Sequence, residues 1–174
     1  NTMASISEAI GLALPGSASP PAEDDRREKM VYDSGVACAN LLKMNIRPKE
    51  ILTFEAFENA ITMLNSIGGS TNGILHLLAL ANEVDIDLTY DDFERVRKKT
   101  PHLADMKPGG NYVMNSLDKI GGIPFVLKKL LDKGLLHENC MTVTGKTIKE
   151  NLNSFDIPQT DQQIVRSVEN PIHA

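Results

Sequence analysis

The sequence has no tryptophan, and only two cysteines, five phenylalanines and three tyrosines occur among its 174 residues. Cys38 and Cys140 lie far apart, and neither belongs to a CxxC or Cys/His cluster. This spacing excludes a disulfide scaffold and a self-contained zinc site and fits a reducing compartment, the cytoplasm. An excess of positive charge is also missing: 18 basic residues against 23 acidic ones leave a net charge of −5. No general attraction to nucleic acid or to an anionic membrane surface is expected. No apolar run approaches the roughly 20 residues of a membrane span; the best stretch, Ile74 to Ala81, is interrupted by His76. What remains is ordinary globular material, 41% hydrophobic and 24% charged, with enough chain for one domain and a sizeable core. The chain opens without an initiator Met or a signal-like segment and closes on the Asn170-Pro171 turn signal, so a fragment is expected.

Helical spacing dominates. Met3, Ile6, Ile10, Ala13 and Leu14 predict a short helix stopped by Pro15-Gly16, and Pro20-Pro21 forces an extended loop. Asp24, as N-cap, opens a long amphipathic helix with Met30, Val31, Ala37, Cys38, Leu41 and Leu42 on one face. Thr53 caps a helix carrying Phe54, Phe57, Ile61 and Leu64, and Gly68-Gly69 ends it. The next helix, from Ser70 to about Glu83, is apolar nearly all round and is expected to be the most buried element and the axis of the core. Thr89 to Asp92 has capping-box spacing before another helix. Leu103 to Met106 reads as a short strand, followed by helices over Tyr112 to Ile120 and Ile123 to Lys133, with a further helix between Met141 and Asn153. Beyond Ser154, Asp156-Ile157-Pro158-Gln159 and Ile164 to Val168 change to turn and strand character, which places a domain boundary near Asn153.

Few motifs carry chemistry. Thr144-Gly145-Lys146-Thr147 ends like a phosphate-binding loop, but Cys140 stands where that loop needs its first glycine, so an ordinary turn opening a surface helix is expected. In Gly68-Gly69-Ser70-Thr71-Asn72-Gly73, glycines permit close backbone approach, and Ser70 and Thr71 at a helix start offer donors to an anion or polar ligand. A plain helix–helix turn with a Ser cap accounts for the same residues. His76 reads as a core histidine, His102, His137 and His173 as turn or surface residues, and Cys38 as a small buried hydrophobe. Neither thiol has a basic neighbour to activate it, and the acidic pairs at helix starts suit caps rather than catalysis.

Several collinear segments nevertheless carry a family resemblance. Asn1-Thr2-Met3-Ala4-Ser5 with Leu14-Pro15-Gly16-Ser17-Ala18-Ser19, Gly68 to Asn72, Leu103 to Pro108, Lys119 to Pro124 and Thr142 to Thr147 resemble the dihydroxy-acid dehydratases, in the same order. The resemblance implies an α/β fold, of which this chain is a helix-rich part with few short strands. Residues 1–153 would belong to a layered α/β N-terminal domain, and 154–174 would form a linker toward a β-rich C-terminal domain. It implies a hydro-lyase that converts 2,3-dihydroxy-3-methyl carboxylic acids to 2-keto acids in branched-chain amino acid synthesis, in a homodimer carrying an iron-sulfur cluster and Mg2+. The cluster cysteines, the Mg2+ ligands and the basic serine of the family match no residue here, so no catalytic residue or metal ligand is assigned and the chain alone is expected to be inactive. Asn1, Thr2 and Met3 follow a cluster cysteine in the family and are the first candidates for contact with the cofactor's surroundings; Ser70, Thr71 and Asn72 are weaker candidates for substrate binding. Sugar-acid dehydratases, acting on 6-phosphogluconate or aldonates, are the alternative within the wider family, and a non-catalytic helical interaction module is the alternative outside it.

Overall fold

The computed structural model describes residues 1–158 and 161–173; Gln159 of the expected turn, and Ala174, lie outside them. Nine helices run through the described residues: α1 (Thr2–Ala9), α2 (Arg26–Met44), α3 (Pro48–Ile51), α4 (Phe54–Ser66), α5 (Asn72–Glu83), α6 (Tyr90–Arg97), α7 (Met114–Asp118), α8 (Gly122–Asp132) and α9 (Ile148–Ser154). Their starts are set by local chemistry. The Thr53 hydroxyl accepts from the Ala56 amide at 3.3 Å, which satisfies one of the donors that a helix start leaves free. Asp92 Oδ2 accepts from the Thr89 amide at 3.0 Å, and Glu150 Oε2 accepts from the Thr147 amide at 2.8 Å, as capping boxes do. Helix α1 ends at Ala9, sooner than its apolar spacing predicts. Gly11 takes φ +91°, and the amides of Leu12 and Ala13 both turn back to the Ser7 carbonyl, at 2.9 and 3.0 Å. The long helix starts one residue later than expected, with Asp25 at the N-cap, while Asp24 Oδ1 accepts from the Arg26 amide. The last helix begins only at Ile148 because 142–147 fold into a turn, closed by a Met141–Thr147 bridge.

The axis of the core is α4, not the Ser70 helix. Nine residues of α4 are buried, among them Phe57, Ile61, Met63 and Leu64, and α1 and α6 pack against it. In α5 only Gly73, Leu77 and Ala81 are buried, a single i, i+4, i+8 stripe, and Leu75 is 62% exposed. Composition alone made α5 look central; one covered stripe makes it peripheral. Helix α2 forms over the expected stretch but buries no residue, so Cys38 is exposed rather than packed, and His76 on α5 is likewise exposed.

Extended structure is sparse, giving a helix-rich arrangement with short β contacts. His102 pairs with His173 and Ala104 with Val165, both antiparallel, and Met106 pairs with Tyr112 in parallel. The Ser66 carbonyl, at the end of α4, accepts from both Leu103 and Ala104 amides, at 2.9 and 3.0 Å. The extended segment is thereby fixed to the core helix. Ile164 and Val165 are buried in the same apolar cluster as α4 and α8. Among the described residues no helix is long and apolar enough to cross a membrane.

Candidate functional site

The start of α1, the turn between α4 and α5, and the segment after the extended stretch come together at one place. Thr2 Oγ1 accepts a hydrogen bond from the Ser70 amide at 3.1 Å, joining residues far apart in sequence. Two glycines make this approach possible. A Cβ on Gly69 would lie 2.9 Å from Thr2 Cγ2 and 2.7 Å from Leu64 Cδ1, closer than side-chain atoms pack. Gly68 has φ +58°, and a Cβ there would lie 2.7 Å from Nε2 of His102, so both backbone freedom and space call for glycine. His102 is the brace behind this turn. Its Nε2 lies 3.1 Å from the Ala104 carbonyl oxygen, its ring stacks on that of His173 with centroids 5.6 Å apart, and burial lowers its pKa, favouring the neutral ring.

These segments wall a cleft of about 500 Å3. Its polar side chains are Asn1, Thr2, Ser70, Asn72 and Lys107; facing them are Met3, Ile67, Met106, Val113, Met114 and Leu117. The structure therefore brings together two groups of residues that sequence reasoning named separately, Asn1 to Met3 and Ser70 with Asn72. Thr71 does not line the cleft; it occupies the N-cap of α5 in a helical conformation and caps nothing with its side chain. Ser70 likewise makes no cap, since the helix starts at Asn72.

Lys107 is the residue that sequence reasoning missed. In Lys107-Pro108-Gly109-Gly110 a cation inside a turn reads as a solvated charge, and only the Met106–Tyr112 pairing and the 2.7 Å bond from the Lys107 amide to the Tyr112 carbonyl return this segment to the cleft. Among the described residues that line the cleft, Lys107 alone has a charged side chain. Such a site can attract a small anion with its cation, orient it with hydroxyls and amides, and cover an apolar end with its methionine and aliphatic wall.

A second cleft, of about 540 Å3, lies by Cys140 and differs in sign, being lined by Glu50, Glu55 and Glu138 beside His137. Carboxylates there oppose an acidic ligand. Burial, followed by the charge of Glu55, pushes the Cys140 thiol up to about 11, so no thiolate nucleophile is available at neutral pH. The Gly-Lys-Thr segment is an ordinary turn, with the Thr147 hydroxyl accepting from the Glu150 amide at 3.2 Å as cap of α9.

The residues present do not fit the implied metals. An iron-sulfur cluster is held by several thiolates, whereas Cys38 is exposed on α2 and Cys140 is buried in the cleft it shares with Thr53 and Glu55 at the start of α4. Among the described residues no group of three His, Cys, Asp or Glu side chains could hold a metal ion.

A cleft with one cation, a few hydroxyl and amide groups and an apolar wall suits a small molecule that has an acidic end and an apolar end. The comparisons make it particular. Residues 1–151 match the family described as "Dihydroxy-acid/6-phosphogluconate dehydratase N-terminal", and the chain belongs to that family. It is 57% identical to a dihydroxy-acid dehydratase of Nocardioides sp. over 99% of its own length and 30% of the relative's. It is 55% identical to the enzyme of that name from Arthrobacter sp., over 99% of this chain and 30% of that protein, and 58% identical to one from Saccharolobus islandicus, over 99% and 31%. The chain thus spans about a third or less of the length of these relatives, at 30 to 31%.

Proposed function

We propose that this chain forms part of the substrate-binding wall of a hydro-lyase that removes water from 2,3-dihydroxy-3-methyl carboxylic acids to give 2-keto acids, a reaction of branched-chain amino acid synthesis. The observation that carries the reading is the make-up of the 500 Å3 cleft, taken with relatives named dihydroxy-acid dehydratase. A branched dihydroxy acid has a carboxylate and two adjacent hydroxyls at one end and methyl groups at the other. Lys107 supplies a charge of the right sign for the carboxylate, Ser70 and Asn72 supply hydrogen-bonding groups for hydroxyls, and Met3, Ile67, Val113 and Met114 supply apolar cover for the methyl end. A polyhydroxylated sugar acid would put several hydroxyls against that apolar wall, each losing water without gaining a partner.

The reaction breaks the C2–H and C3–O bonds and yields an enol that tautomerises to the keto acid. The described residues do not supply the ligands of either metal that the family resemblance implies. In the whole enzyme, on this reading, iron-sulfur and Mg2+ are held by residues other than these, with Asn1, Thr2 and Met3 bordering the cofactor side. The work of this chain is to bind, orient and shield the substrate. A homodimer in the cytoplasm is part of the same proposal.

The test is a chimera in which this chain replaces the matching segment of the Nocardioides enzyme. After metal content and melting have been checked, kcat/KM is compared on 2,3-dihydroxy-3-methylbutanoate and on 6-phosphogluconate. The branched acid is expected to be the better substrate; a preference for the phosphorylated sugar acid would overturn the choice.

A further inference from the structure

Glu8 is the one charged side chain in the core of the described residues, 4% exposed on the inner face of α1. Its two carboxylate oxygens are both used by the same loop: Oε2 accepts from the Gly16 amide at 2.8 Å and Oε1 from the Ala18 amide at 2.6 Å. Gly16 takes φ +83°, a conformation in which most side chains would be strained. The loop then reaches the cleft. The Ala18 carbonyl accepts from Nδ2 of Asn1 at 3.3 Å, and the buried Ser19 hydroxyl accepts from the Ile123 amide at 3.0 Å in the first turn of α8. A buried carboxylate that bridges two backbone amides without a cation is an unusual device, since burial favours the uncharged form and apolar packing would cost less.

We propose that Glu8 is a positioning residue for the cleft, clamping the Gly16–Ser19 loop through its carboxylate so that the loop holds the Asn1 side chain in the cleft wall. Its bearing on turnover rests on the proposed function; the clamp itself does not. The ionised form accepts from both amides. Protonation converts one oxygen to a hydroxyl that donates, and one amide loses its charged acceptor, so the clamp is expected to loosen as Glu8 gains its proton. Burial is the main influence and pushes the carboxyl up to about 7, against the opposing pull of the Ala18 and Gly16 amides. Helices α4, α5 and α8 pack against α1. Their titratable residues are Glu55 and Glu58, His76 and Glu83, and Lys128, Lys129 and Asp132, and the Glu8 oxygens bond to the two loop amides rather than to any of these. The cation that does reach the loop is Arg27, whose Nη1 donates to the Ser17 carbonyl at 3.1 Å.

The test is an NMR pH titration of the full chain, with the N-terminus acetylated so that the α-amino group does not titrate beside Asn1. The Glu8 carboxyl carbon should titrate with a midpoint near 7. The Gly16 and Ala18 amides and the Asn1 side-chain amide should move with that same midpoint, and in Glu8→Gln all three should lose it. A Glu8 midpoint in the ordinary carboxylate range, or an Asn1 amide that stays still while Gly16 and Ala18 titrate, overturns the proposal. Where Glu8→Gln fails to fold, the coincidence of the midpoints in the unaltered chain decides. No substrate is added, so failure here is distinct from failure of the proposed function.

Discussion

Helices α4 and α5 are similarly apolar in sequence, yet α4 has nine buried residues and α5 three. The difference lies in their neighbours. Helix α4 is covered by α1 on one side and α6 on another, with the extended segment from Leu103 hydrogen-bonded to its end, while α5 meets α1 and α4 along a single stripe. Apolar content states how much surface a helix would gain by burying; it does not state whether this stretch of chain supplies the cover. Helix α2 makes the point again, with Val31, Tyr32 and Leu42 exposed at 73%, 73% and 80%.

The largest effect is expected from Phe57→Ala. The fully buried ring fixes the α4 side, and its loss should cost about 3 to 5 kcal/mol in denaturant unfolding. On α5 the comparison is internal. Leu77, 2% exposed, should cost about 2 to 5 kcal/mol when changed to Ala, whereas Leu75→Ala should stay within about 0.5 kcal/mol. Equal costs at Leu75 and Leu77 would mean that α5 is covered all round and that the contrast with α4 is wrong.

The buried charge offers a third break. The folded-state pKa of Glu8 is raised from 4.5 to about 7, so its contribution to stability is full below pH about 4.5 and is lost as pH rises toward 7. Relative to Glu8→Gln, the unaltered chain should therefore lose about 3 kcal/mol of unfolding free energy between those two pH values, at about 1.36 kcal/mol per unit. A pH-independent difference between the two proteins would place Glu8 in water. Fourth and smaller, Thr147→Val should cost about 1 kcal/mol through loss of the α9 cap and leave substrate turnover unchanged.

Much of this architecture was legible in the sequence, because caps and breakers act locally. The Thr53 cap, the Thr89 capping box and the glycine stop at Gly68 depend on residues within a turn of one another. The errors share the opposite cause. The burial of α5, the packing of Cys38 and the core reading of His76 each required knowledge of which distant segment lies alongside. The cleft divides in the same way. Asn1 to Met3 and Ser70 to Asn72 stood out by motif, but the Thr2–Ser70 hydrogen bond that joins them, the dropping out of Thr71 and the arrival of Lys107 are tertiary facts. For Lys107 the sequence holds one signal, a lysine leading a Pro-Gly-Gly turn just after a strand, and a solvated charge is the commoner meaning of that pattern.

On the proposed function, the start of α1 and the α4–α5 turn form one substrate-binding wall. Its most direct test is kcat/KM for 2,3-dihydroxy-3-methylbutanoate in the Nocardioides chimera, comparing Thr2→Val with Thr147→Val at matched metal content and melting temperature. Removing the Thr2 hydroxyl leaves the Ser70 amide without its acceptor in the cleft wall. This should lower kcat/KM about tenfold, the equivalent of about 1.4 kcal/mol, while Thr147→Val stays within about twofold of the unaltered chimera, less than about 0.5 kcal/mol. Full activity in Thr2→Val together with loss of turnover in a well-folded Thr147→Val protein would contradict the account.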